Sequence, residues 1–320
     1  RLAERTQLPD WTPQRVADTV MCGPETYLMV FVNGFFAPEL SRMEGCEAHV
    51  VSLSQALGSE NETIPTRWKN RAETGRLPLV DLNDAFFTDG ALVRIPDSIP
   101  LSKPLYIVWI SAPERTPTVQ YPKAIVVLGA RAQVQIVETH ICTQDGSYFS
   151  NAVTEIVLGE GAGCDHYRIQ REGKNACHAG FVNVLQKENS RYESFSLSVG
   201  ARLSRTDIEV VLDGEGADCT LNGLYETQDN QHVDNHTVIE HAKPHGTSRE
   251  LYKGIMRGQS RAVFNGRIQV EPDAQKTDAI QYNKNLMLSD QSWVHTQPEL
   301  KILANDVKCK HGATIGQMNP

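Results

Sequence analysis

The sequence contains no GxxxxGK[ST] loop, so nothing in it can cradle nucleotide phosphates in the P-loop manner, and any dependence on ATP would come from another chain. It has no GxSxG elbow and no HExxH pair, which removes the α/β-hydrolase nucleophile and the helical zinc-protease site. No apolar run approaches the roughly 20 residues needed to span a bilayer, and no secretory leader pattern opens the chain. With Arg1 as the first residue, a targeting segment removed ahead of it stays compatible with the sequence. A basic stripe is also missing: 31 basic against 39 acidic residues give a net charge of -8, which argues against nonspecific nucleic-acid binding and for solubility.

Disulfide spacing is absent too. The seven cysteines (Cys22, Cys46, Cys142, Cys164, Cys177, Cys219 and Cys309) are odd in number with no CxxC, which points to a reducing compartment. Most are expected to act as small buried apolar side chains. Cys164 and Cys219 fit that role, since each closely follows a Gly-Glu-Gly-Ala turn and opens a strand-like run.

Helical periodicity is nearly missing from Ile125 to Ile315, and what replaces it is period-2 alternation with internal echoes. LGARAQVQIVE at Leu128, LGEGAGCDHYRI at Leu158, SVGARLSRTDIEV at Ser198 and LDGEGADCTLNGLY at Leu212 each join an apolar run, a glycine corner and an alternating strand. Val134 and Ile136 alternate with Gln133 and Gln135; Ile208, Val210 and Leu212 alternate with Asp207, Glu209 and Val211. A β-sandwich or a stacked solenoid would both read this way, and the echoes favour the solenoid. Asn222-Gly223, Asn265-Gly266, Asn283 and Asn285 suit its corners, with amides stacking between turns.

The amino-terminal texture differs. Gln14 to Met21 predicts a short helix, and Asn33-Gly34 a hairpin turn between apolar runs. Residues 55–90, through Arg67, Trp68, Leu82 and Phe87, read as helical or irregular, with a polar loop from Gly58 to Thr63. The expected division is a mixed α/β portion over 1–90 and a β-helix over 91–320.

Near the end, Cys309 and His311 stand two apart, so on a strand both face one side and could offer one soft and one borderline metal ligand. The segment Ser248 to Gly316 surrounding them resembles the SufB/SufD family of iron-sulfur cluster assembly scaffolds, as do Asp81 to Ser111 and Tyr27 to Ser41, most closely its SufD branch. The ending CKHGATIG discriminates, because the SufB branch typically carries a Glu-His-Glu type sequence there. The resemblance implies a right-handed parallel β-helix and a non-catalytic assembly subunit. It also implies a complex with a SufB paralogue and a SufC ATPase, and a transient iron-sulfur cluster held between the two β-helices, with Cys309 and His311 as ligands shared with the partner. The family normally continues into a helical segment that contacts its ATPase, so a chain ending at Pro320 reads as lacking that region. The open end of a solenoid has free strand edges, so the isolated chain is expected to form a homodimer there. The expected location is the cytoplasm, or a plastid if a targeting segment was removed.

Two other constellations read as structural. His232, His236, His241 and His245 suggest zinc only superficially, since His236 and His241 would project to opposite strand faces. Asp207, Glu209, Asp213, Glu215 and Asp218 could belong to a carbohydrate-active β-helix enzyme, but such a run more often forms a solvated strand face and turn. A purely structural subunit, with Cys309 and His311 packing at an interface, is the closer competitor.

Overall fold

The computed structural model describes residues 1–59 and 78–318. Helix α1 (Pro13–Val20) falls where the sequence predicts it. Thr12 is extended and its hydroxyl accepts the Arg15 N–H at 3.2 Å, while Pro13 occupies the first turn, where a missing N–H costs nothing. Strands β1 (Tyr27–Val32) and β2 (Phe35–Phe36) form the expected hairpin, and Asn33 and Gly34 both have the positive φ that a type I′ turn needs, 52° and 83°. Strand β3 (His49–Ser52) leads into α2 (Leu53–Leu57), and α3 (Pro78–Phe86) follows. Arg67, Trp68 and most of the expected polar loop lie outside the described residues.

The remaining strands are β4 (Ala91–Ile95), β5 (Leu105–Ser111), β6 (Thr118–Gln120), β7 (Lys123–Leu128), β8 (Gln133–Cys142) and β9 (Tyr148–Leu158). Eleven of nearly uniform length complete the set: β10 (Gly163–Glu172), β11 (Cys177–Gln186), β12 (Arg191–Gly200), β13 (Leu203–Leu212), β14 (Asp218–Thr227), β15 (His232–His241), β16 (Thr247–Met256), β17 (Arg261–Val270), β18 (Asp278–Met287), β19 (Trp293–Ile302) and β20 (Lys308–Gln317). From β8 onward each strand pairs in parallel with the strand two places on, so even strands build one ten-stranded sheet and odd strands a second. The result is the expected parallel β-helix, two strands per turn. Strand β1 already contributes a parallel rung to the first sheet through β5.

Alternation decides which side chains enter the core. On β13, Ile208, Val210 and Leu212 are buried and their neighbours are not, as the period-2 pattern requires. Each such side chain removed from water contributes about 1.5–3 kcal/mol. Register stacks equivalent positions into columns, one of which runs inward through Cys164, Tyr192, Cys219, Ser248, Ala279 and Cys309.

One corner is a backbone ladder. Arg131, Gly161, Asn189, Gly216, His245 and Lys276 are all left-handed, with φ from 52° to 68°. Each of their N–H groups donates to the carbonyl just before the equivalent corner one turn on, from Arg131 to Glu160 through to Lys276 to Asp306. Asn222-Gly223, Asn265-Gly266, Asn283 and Asn285 are not at the corners where the sequence reading puts them. They lie inside β14, β17 and β18. Gly223 and Gly266 face inward, where Tyr252 and Gln281 fill the space a Cβ would need. Asn283 and Asn285 are buried and bond to a tyrosine rather than stacking amides between turns: Asn283 Nδ2 donates to Tyr225 Oη at 3.2 Å, and that hydroxyl donates to Asn285 Oδ1 at 2.5 Å.

Candidate functional site at the open end of the solenoid

Strand β20 pairs with β18 on one edge and has no strand on the other among the described residues. Cys309 and His311 have the inward parity of the column positions beneath them: Cys309 sits over Ala279, His311 over Gln281, Ala313 over Asn283 and Ile315 over Asn285. The two candidate ligands therefore share one face, as the sequence predicts, and that face is the end of the solenoid interior. Cys309 is half-buried against Ile268, Val270, Ala274 and Ala304. His311 is exposed, and beneath it the Gln281 amide donates to Glu250 Oε2 at 2.6 Å.

The chemistry of the pair is asymmetric. Burial, together with the charge of Asp278, pushes the Cys309 thiol up. A metal ion binding there would have to displace that thiol proton. Among the described residues no group of three or more His, Cys, Asp or Glu side chains converges to hold a metal ion. The two side chains leave the strand about 6.6 Å apart.

A second constellation, unnoticed in the sequence, fills the solenoid several turns earlier. Glu138 is fully buried and accepts from Trp109 Nε1 at 3.2 Å, from Thr154 Oγ1 at 2.9 and 3.0 Å, from His140 Nε2 at 3.3 Å and from His166 Nε2 at 3.2 Å, with Arg168 Nε at 3.7 Å. The other ring nitrogen of His166, Nδ1, lies 2.9 Å from the Tyr192 hydroxyl. Burial alone would raise the Glu138 carboxyl, but the bonds from His140 and His166 and the charge of Arg168 outweigh it and hold the group well below the usual range. Glu172 is likewise lowered: His178 Nδ1 lies 2.8 Å away, at ion-pair distance though poorly angled for a hydrogen bond. The signal was in the parity, since Glu138 and His140 are in phase with inward Val134 and Ile136.

The remaining candidates separate. His241 faces inward and bonds Ser248 Oγ at 2.9 Å, His236 faces outward beside Asp234 at 2.8 Å, and His245 is the left-handed residue of a corner. Opposite faces of β15 thus divide the histidines, as expected. Asp207 lies outward under a bidentate Arg205, Asp213 pairs with Lys187, and Glu215 sits at a corner.

Comparison with known proteins gives two matches along the chain. The SufBD protein N-terminal region matches residues 14–107, and the SufBD core domain of the SUF system for FeS cluster assembly matches residues 109–320. An iron-sulfur cluster assembly SufBD family protein of Synechocystis is 34% identical over 91% of this chain and 66% of its own length. The chloroplastic protein ABCI7 of Arabidopsis thaliana is 31% identical over 72% of this chain and 50% of its own. The iron-sulfur cluster assembly protein SufD of Escherichia coli is 28% identical over 96% of this chain and 71% of its own. The chain thus spans less than two thirds of the first two relatives.

Proposed function

The chain belongs to the SufBD family of the SUF iron-sulfur cluster assembly system, and from that membership we propose that it is a SufD-like scaffold subunit that supplies ligands to a nascent cluster at an interface with SufB. One observation carries this reading: Cys309 and His311 lie on the inward face of β20, which no further rung covers among the described residues. The cluster is cargo rather than a resident cofactor. A soft and a borderline donor from this chain, completed by donors of the partner, would hold it loosely enough to pass on. ATP hydrolysis belongs to a SufC partner, and the setting is a reducing one, cytoplasm or plastid.

The edges of β19 and β20, which carry no strand among the described residues, also support a two-fold dimer of the isolated chain through strands near Lys301 to Ile315, in the position the paralogue would take. A monomer in solution scattering at micromolar concentration counts against this.

The test is cluster yield in the complex reconstituted with SufB and SufC. His311→Ala is expected to keep folding and partner binding but sharply lower the yield. Cys309→Ala should do the same or somewhat less, since a partner thiolate can replace one soft ligand. The apolar packing of Cys309 favours a second reading, a purely structural subunit. Wild-type yield from the double variant would establish it.

A further inference from the structure

The outward face of the first sheet changes character along its length. At its beginning α1 lays Val16, Ala17 and Val20 over outward-facing Val30, Val32, Val108 and Ile110. The column that starts at Val30 and Val108 continues through Thr139, Ile169, Leu197 and Leu224, then meets Lys253 and Lys284. A parallel column runs through Tyr167, Phe195, Asn222, Leu251 and Tyr282. Here the face is open: Phe195 and Tyr282 are 37% and 40% exposed.

The lysines say what this face lacks. Lys253 and Lys284 are register partners on adjacent strands, so their side chains leave the sheet about 4.8 Å apart. Like charges in that relation repel. Both are exposed, and neither ammonium group has a hydrogen bond or ion pair among the described residues, unlike the guanidinium groups of Arg191 and Arg249 on the same face, which pair with Asp165 and Asp278. An apolar stripe ending in two stacked, unneutralised ammonium groups is complementary to an apolar surface with carboxylates at one end.

Spacing selects the form of that surface. Strands repeat every 4.8 Å or so along the solenoid, and an α-helix advances about 5.4 Å per turn. A helix laid along the columns therefore sets roughly one apolar side chain on each strand of this sheet from β10 to β18. We propose that this face docks an acidic amphipathic helix of a partner chain, its apolar side on Phe195, Leu197, Leu224 and Leu251 and its carboxylates between Lys253 and Lys284.

The probe is a pair of synthetic 15-residue amphipathic helical peptides, identical in their leucine face and carrying either three Glu or three Lys at the end placed over the lysine pair. Titrated into the full chain, the Glu peptide is expected to bind at least tenfold more tightly. Amide exchange should slow on β12, β14 and β16, and Lys253→Glu with Lys284→Glu should reverse the preference while the circular dichroism stays unchanged. Equal binding of both peptides, or protection confined to β19 and β20, overturns the proposal. Self-association that the double variant alters would assign the face to a second copy and overturn it as well.

Discussion

The ring of Tyr252 occupies the space that a β-carbon at its register partner Gly223 would fill. The interior thus interlocks between turns: a residue reduced to hydrogen on one rung admits a large side chain from the next. Gly254 stands in the same relation to Tyr225.

Gly223→Ala should therefore overpack a buried site and cost about 1–3 kcal/mol. Gly312→Ala is the control, because the ring it would approach, Tyr282, is exposed and free to turn aside. Urea denaturation of the two variants is the measurement, and equal small losses would show that the interior is looser than the register implies.

The Glu138 cluster predicts a large and specific loss. Glu138→Gln leaves His140, His166 and Arg168 facing a neutral amide in a buried interior, and removing one partner of a buried charged network costs about 3–5 kcal/mol. Exposed Glu193→Gln should stay within about 0.5 kcal/mol. Loss of stability in both variants alike would argue that the cluster is hydrated rather than dry.

Two buried groups make stability respond to pH in opposite senses. Burial pushes Glu250 up to about 7 from 4.5, so through that range the folded chain keeps a proton the unfolded chain has released, and stability falls as pH rises. Burial pushes His241 down to about 4 from 6.5, so as pH falls through that range the unfolded chain gains a proton the folded chain refuses, and stability falls. Between about pH 4.5 and 6.5 the two oppose. Relative to wild type, Glu250→Gln should lose stability on acidification across this window and His241→Asn should gain it. Denaturation midpoints at several pH values decide the matter, and curves parallel to wild type would sink the assignment.

At the open end, folding and chemistry should separate. His311 is exposed, so His311→Ala is expected to change stability by less than about 0.5 kcal/mol. Cys309→Ala loses packing and should cost about 0.5–1 kcal/mol. Thermal melts run beside the cluster-yield assay would show whether any lost yield is a folding defect; a His311→Ala melt depressed as far as that of Cys309→Ala would mean the imidazole is structural.

Alternation and glycine corners revealed the solenoid because both are local, and the pairing of Cys309 with His311 followed from strand parity alone. The identity of the corners was less legible. Arg131, Asn189, His245 and Lys276 take left-handed backbone because the neighbouring turn accepts their N–H, a tertiary reward that propensity does not encode. The asparagines at 222, 265, 283 and 285 misled for the converse reason: turn-forming residues were recruited into strands by partners on other rungs. Glu138, His140, His166 and Glu172 were overlooked because polar residues at core parity read as a break in the pattern until the register brings them together.

The corner ladder also bears on how the chain comes apart. Each rung of Arg131, Gly161, Asn189, Gly216, His245 and Lys276 is secured by the next, so among the described residues the last rung is held from one side only. A stack of this kind opens most cheaply at a rung with a single neighbour, and among the described residues β20 is such a rung. Cys309 and His311 ride on that rung. A molecule that capped this rung would act as a latch, fixing the two side chains in place while engaged and letting them relax when it departs.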